Sequence, residues 1–291
     1  TKLIESIMKK ITLGTISVIA TPIGNAEDIT IRALKTLKEV DTIACEDTRV
    51  TSKLCNIHKI DCKGKLISYH EHNSQKMIPI LINKVKNGIN IGVVTDAGTP
   101  LISDPGYKLI KAALDENIIV RSVPGPSALT AALSISGISS DQFVFLGFLP
   151  RKPILRRKKI DSISHIDSSI IIFESSHRIN KLLKDLYLLL GNRKISVMRE
   201  ITKMYEENIR GSTTEVMEHC ISSPLKGELV VLIEKAEYKK QEYSNDQLIK
   251  ILKEELPKLG ISRASKEIAK KTSIKSDYIY KLALTINDNK S

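Results

Sequence analysis

Apolar residues along this chain recur in two alternating rhythms. Short runs rich in β-branched residues at 15–20, 42–45, 65–68, 89–95 and 118–123 read as strands. Between them, 30–39, 78–87 and 107–114 carry apolar residues three and four apart and read as helices. Asp28 or Thr30 is placed to cap the first, with Ile31, Leu34 and Leu37 on one face. Pro79 suits the first turn of the second. This β–α repetition predicts a mainly parallel sheet with helices on its faces.

Pro124-Gly125-Pro126 breaks the rhythm and marks a candidate boundary. Beyond it, strands at 143–147, 169–173, 194–198 and 228–233 are separated by helical stretches at 127–136, 178–189 and 213–221. That is a second, α+β domain. Residues 235–242 are polar and charged, a linker in composition, and from Ser244 the periodicity is purely helical. The expected division is therefore 1–123, 124–240 and a helical tail at 241–291. Within the tail, 262–283 reads as helix, short turn, helix. This is the outline of a helix-turn-helix or of a small capping bundle, and spacing leaves both open.

Composition narrows the class. A chain of 291 residues with 42% hydrophobic content can bury a core in each of two domains. Its longest apolar runs, such as 170–173 and 186–190, fall far short of the ~20 residues a membrane helix needs. Lys9 and Lys10 precede a segment that reads as a first strand and not as a signal peptide, so a soluble cytoplasmic protein is expected. Cys45, Cys55, Cys62 and Cys220 form no Cys-x-x-Cys pair, and His70 and His72 are only two apart; neither a disulfide framework nor a metal site is expected. The net charge of +12 suggests a polyanionic partner, although a Lys-, Ile- and Asn-rich background contributes to it. More telling is the cluster Arg151, Lys152, Arg156, Arg157, Lys158 and Lys159, six cations within nine positions. It is either a solvated helix face or a phosphate-contacting patch.

Candidate chemistry lies in polar loops that follow strands: Ala20-Thr-Pro-Ile-Gly-Asn25, Cys45-Glu-Asp-Thr-Arg49, Ser68-Tyr-His-Glu-His-Asn73, Asp96-Ala-Gly-Thr-Pro100 and Val123-Pro-Gly-Pro-Ser-Ala128. In a parallel sheet such loops converge on one edge, where ligands bind. Gly98 and Gly125 permit close backbone approach, and the helix opening at Ser127 can present free N–H groups to a carboxylate. No two glycines lie at i and i+2, which removes the dinucleotide fingerprint, and neither a P-loop nor a Gly-x-Ser-x-Gly elbow occurs.

These loops, in this order, resemble the tetrapyrrole methylase superfamily. Gly147-Phe-Leu-Pro150, Glu174-Ser-Ser-His-Arg178 and Arg199-Glu-Ile-Thr-Lys203 extend the resemblance over roughly residues 14–235. The segments Glu46-Asp-Thr-Arg49, His70-Glu-His-Asn73 and Ser176-His-Arg178 are similar to the branch that methylates a cytidine ribose 2′-hydroxyl in 16S ribosomal RNA of the small subunit. The resemblance implies two α/β domains with a cleft for S-adenosylmethionine between them, a helical tail and a homodimer. It implies cofactor contacts from Pro22, Gly24, Asp96, Ala97, Gly98, Thr99, Pro100, Ser103, Ser127, Ala128, Phe148 and Leu149. Candidates for activating or holding the hydroxyl are Glu46, Asp47, Arg49, His70 and His177. As Glu46 and Asp47 are adjacent, at most one is expected to face the cleft. Arg151, Lys152, Arg156, Arg157, Lys158, Lys159 and Arg178 are the candidate RNA contacts. Two departures stand out: Val50 occupies a position expected to be His, and Ile201 one expected to be Leu. Rival readings are a same-fold methyltransferase of tetrapyrroles or other small molecules, and a non-catalytic RNA- or DNA-binding protein using the tail.

Overall fold

A computed structural model describes residues 13–103, 106–236, 243–272 and 274–288. Asp104, Pro105 and most of the linker expected at 235–242 lie outside the described residues. The chain divides into two compact units after Ala236.

The first unit holds two five-stranded sheets. In the N-terminal sheet, β1 (Thr15–Ile19), β2 (Thr42–Cys45), β3 (Leu66–Ser68), β4 (Ile91–Val94) and β5 (Ile119–Val123) run in the order β3-β2-β4-β1-β5. Every pairing is parallel. All four residues of β2 and of β4 are buried, as expected of strands covered on both faces. One face packs Ile19, Ile43 and Val94 against α1 (Ile31–Glu39) and α2 (Thr48–Ile57). The other packs Ala44, Ile91 and Val93 against α3 (Ser74–Lys86) and α4 (Tyr107–Asp115).

Three local expectations are corrected. Thr30 does cap α1, accepting from Ala33 N at 3.0 Å, but Ile31 is 86% exposed and the buried side chains are Ala33 and Leu37. Pro79 sits in the second turn of α3, because Ser74 and not Ile78 begins the helix; the amide that would reach back to Gln75 is lost there. The Asp-Thr-Arg segment opens α2, a helix the periodicity did not suggest.

The C-terminal sheet is mixed. β6 (Phe143–Phe148), β7 (Ser169–Ser175), β8 (Lys194–Arg199), β9 (Glu207–Ser212) and β10 (Glu228–Ile233) run in the order β6-β7-β10-β8-β9. Only β6–β7 is parallel. One face is covered by α6 (Pro153–Asp161), α7 (Ile179–Leu190) and α8 (Thr213–Ser222), through Ile160, Leu182, Leu183, Leu186 and Val216. The opposite face packs Ile171, Met198, Val230 and Leu232 against Ala132 of α5 (Ala128–Ser136) and against Ile23 from the N-terminal half.

The second unit has its own small core of Leu248, Leu252, Ile268, Ile279, Ala283 and Ile286. It is built from the helical stretch α9 (Asn245–Thr272), broken at Gly260 with φ of 72°, and α10 (Ser276–Asp288). No helix among the described residues is long and apolar enough to cross a membrane.

Candidate active site

The strand order of the N-terminal sheet reverses around β1 and β4: the chain leaves β1 towards β2, and leaves β4 across β1 to β5. In open α/β sheets the crevice at such a switch point, beyond the carboxyl ends of the strands, is the ligand site. The loops there are tied into one rim. Thr21 and Gly98 exchange backbone hydrogen bonds at 2.9 and 3.0 Å. The Thr21 hydroxyl donates to Thr95 O at 3.1 Å, and the Thr99 hydroxyl to Pro126 O at 3.0 Å. Gly98 holds φ of 83°, and a Cβ there would lie 3.2 Å from Ile23 Cγ2.

This rim and the C-terminal sheet enclose a cleft of about 420 Å³, within the size range of small-molecule sites. The N-terminal half contributes Ile23, Glu46, Thr95, Asp96, Ala97, Gly98, Thr99, Ile102 and Ser103. Beyond the boundary, Ser127, Ala128, Phe148, Phe173, Glu174, Ser175 and residues 227–230 complete it. Ser127 is the N-cap of α5 and its side chain caps no amide, so backbone donors are free at the cleft. Phe148 is 60% exposed in the cleft and packs edge-on against Phe173, with ring centroids 5.7 Å apart. It follows Gly147, whose φ is 61° and where a Cβ would lie 2.7 Å from Ser103 Oγ. The two halves therefore meet closely at this point.

Four acidic residues line the cleft, Glu174 and Glu228 from the C-terminal half and Glu46 and Asp96 from the N-terminal rim. Glu46 accepts from the Thr95 hydroxyl at 3.1 Å. Asp96 accepts from Asp47 N at 3.0 Å. Burial pushes the Asp96 carboxyl above the ordinary range, and the nearby Glu46 and Asp47 carboxylates add to this, against the Asp47 amide and Arg49. Asp47 turns away to cap α2, accepting from Arg49 N at 2.8 Å. Its side chain pairs with the Arg49 guanidinium at 2.6 Å. These hydrogen bonds from Arg49 bring the Asp47 carboxyl down to about 2. Only one of the two adjacent acids thus lines the cleft, and the cause is a helix cap rather than strand alternation.

Several predicted residues sit elsewhere. Arg49 is 89% exposed in its side chain and engaged by Asp47. His70 lies outside the lining, with its backbone N–H donating to Asn73 Oδ1 at 2.9 Å and its ring Nδ1 buried without a partner. His177 is exposed just before α7. Among the expected cofactor contacts, Pro22, Gly24, Pro100 and Leu149 are not part of the lining. Leu149 is 2% exposed and belongs to the C-terminal core, and Pro100 is also buried.

The basic cluster is split by burial. Arg156 is 4% exposed and holds the buried Asp185 by Nη2 at 2.6 Å and Nε at 2.7 Å, which corrects its assignment to the RNA surface. Arg178, with 22% of its side chain exposed, is partly engaged within the protein. It donates to Leu149 O at 2.8 Å and places Nε 3.1 Å from Glu174 Oε1. Burial raises the Glu174 carboxyl even so, outweighing Arg178 and Arg156. Arg151, Lys152, Arg157, Lys158 and Lys159 remain exposed, with Arg157 also reaching Asp185 at 2.7 Å. Among the described residues, no group of three or more His, Cys, Asp or Glu is arranged to hold a metal ion.

The lining contributed by β10 had no sequence signal. Ligand loops are sought after strands, and 227–230 precede or begin one. They reach the cleft because β10 runs antiparallel to β7, which brings its start beside the end of β7.

The comparisons accord with this architecture. Residues 15–217 match the family of tetrapyrrole (corrin/porphyrin) methylases. A protein of Mesorhizobium japonicum named ribosomal RNA small subunit methyltransferase I is 40% identical over 273 residues, covering 93% of this chain and 91% of that protein. One of the same name from Halalkalibacterium halodurans is 46% identical over 221 residues, 76% of each chain. Among solved structures, a cobalt precorrin-4 methyltransferase aligns with a TM-score of 0.59 at 18% identity over 76% of this chain and 94% of the other. Uroporphyrin-III C-methyl transferase of Thermus thermophilus, complexed with S-adenosyl homocysteine, aligns with a TM-score of 0.54 at 18% identity over 75% and 97%. At that identity the solved structures show the fold alone. The chain belongs to the tetrapyrrole (corrin/porphyrin) methylase family.

Proposed function

We propose that this protein is an S-adenosylmethionine-dependent methyltransferase acting on the ribose 2′-hydroxyl of a cytidine in small-subunit ribosomal RNA. One observation carries this reading: the 40% identity to a ribosomal RNA small subunit methyltransferase I runs over 93% of the chain, tail included. The cleft suits the cofactor. The first turn of α5, left uncapped by the Ser127 side chain, offers amides to a carboxylate, and Phe148, Ile102 and Leu229 offer apolar walls. The bound cofactor supplies a methyl group on a sulfonium, which is already activated for transfer.

The remaining work falls to the chain's own residues. A ribose hydroxyl is a weak nucleophile, so the protein must position it and take its proton. Glu46 is the acceptor in this reading: it lines the cleft, and Thr95 orients its carboxylate. Arg151, Lys152, Arg157, Lys158 and Lys159 give sequence-independent affinity for phosphate. The protein would act in the cytoplasm as a homodimer. Incubating it with labelled S-adenosylmethionine and purified small subunits, with a tetrapyrrole precursor in parallel, tests the reading. Label in RNA supports it, and label only in the small molecule defeats it.

A further inference from the structure

The Arg199-Glu-Ile-Thr-Lys203 segment has no part in the chemistry above, yet it joins the two walls of the cleft. Gly24 and Asn25, in the loop after β1, lie against it although 177 residues separate Asn25 from Thr202. Asn25 N donates to Thr202 Oγ1 at 3.1 Å. A Cβ on Gly24 would stand 2.5 Å from Lys203 Cγ, 2.7 Å from Thr202 Oγ1 and 3.0 Å from Ile201 O, so only glycine allows this approach. Ile201 and Ile23 share one buried cluster.

The other end of the segment grips β10. Glu200 N donates to Glu228 O at 3.1 Å, and Glu228 N donates to Glu200 Oε1 at 3.0 Å. Lys203 Nζ bridges Glu200 Oε1 at 3.2 Å and Glu228 Oε2 at 2.9 Å. Glu200 and Thr202, neither of them glycine, hold φ of 50° and 67°. Left-handed backbone at such residues persists where surrounding contacts over-determine it. Ile23 and Glu228 both line the cleft, so the segment holds one wall by each end.

We propose that residues 200–203 form a clasp, with Thr202 as a positioning residue, that sets the spacing of the cleft walls and so the affinity for the cofactor. This rests on the cleft being the cofactor site. Thr202→Ala removes the acceptor for Asn25 N, and Thr202→Ser keeps it. Calorimetry with S-adenosylhomocysteine on the full chain should show Thr202→Ala binding about fivefold more weakly, the scale of one hydrogen bond, and Thr202→Ser binding like the parent. KM for S-adenosylmethionine should rise by a similar factor, with kcat at saturating cofactor and KM for RNA unchanged. Gly24→Ala, which leaves the hydrogen-bonding groups in place and adds one methyl, should also weaken binding. Parent-like affinity in Thr202→Ala, or a Thr202→Ser variant as weak as Thr202→Ala, overturns the clasp while leaving the methyltransferase reading intact. A parent protein that binds no S-adenosylhomocysteine overturns both.

Discussion

Thr95, just past the end of β4, donates its hydroxyl to Oε2 of Glu46, just past the end of β2, at 3.1 Å. The two strands are neighbours, with Cys45 opposite Val94. The bond therefore fixes one carboxylate relative to the ligand-binding rim. Glu46→Gln preserves shape and hydrogen bonding but cannot take a proton. It should lower kcat for RNA methylation by about 10²–10⁴-fold with S-adenosylhomocysteine affinity nearly unchanged. Thr95→Val should give a smaller loss. Single-turnover kinetics read both, and a Glu46→Gln variant with parental kcat would remove Glu46 from the mechanism.

Asp96 gives a pH signature. Its folded-state pKa is raised above the ordinary 3.8 by burial, so it takes up a proton earlier than an exposed carboxylate as the solution is acidified. If the carboxylate accepts a hydrogen bond from the cofactor, affinity is full at neutral pH and falls as pH drops through the raised value. Asp96→Asn should flatten that limb. Linkage gives the stability sign: a raised acid favours folding only below its unfolded pKa, and opposes it once ionised in both states. Asp96→Asn should therefore melt no lower than the parent at neutral pH. A lower melting temperature there would contradict this account of the site.

The basic cluster should separate by experiment as it does by burial. Asp185 is 1% exposed and holds Arg156. Asp185→Asn leaves a buried guanidinium without its counter-charge and should cost about 3 kcal/mol in denaturant unfolding. Lys158→Ala with Lys159→Ala should leave stability near parental, weaken RNA binding, and reduce its salt dependence by up to about two counterions. Equal stability losses in both variants would refute the division.

All four cysteines are free and buried. Burial pushes the Cys55 thiol up to about 12 and Cys220 to about 11. Thiolate is the reactive form, so the folded protein should resist aromatic disulfide reagents at pH 8 and react at four sites once denatured. Rapid labelling of the folded protein would contradict this packing.

The middle of the N-terminal sheet was readable because β2 and β4 are buried along their whole length and stand out as short apolar runs; Thr42–Cys45 lies where the pattern put it. β9 was not, because Glu207-Asn-Ile-Arg-Gly-Ser212 has a single apolar residue, Ile209, and its pairing to β8 is tertiary. Loops converging at the carboxyl edge could be anticipated from the sheet type, and Asp96, Gly98, Ser103, Ser127 and Phe148 all line the cleft. The start of β10 could not, since nothing local announces an antiparallel strand. Nor could sequence tell Arg156 from Arg157: both reach Asp185 on α7, but Arg156 is buried there and Arg157 stays half exposed, a difference set by which face of α6 the tertiary packing covers.

The most direct measurement is to locate the transferred methyl group. After reaction of small subunits with labelled S-adenosylmethionine, alkaline hydrolysis of the RNA should leave the label in an alkali-stable dinucleotide beginning with cytidine, since a methylated 2′-oxygen cannot assist cleavage of its phosphodiester. Label released in mononucleotides, as for a base methylation, would contradict the account.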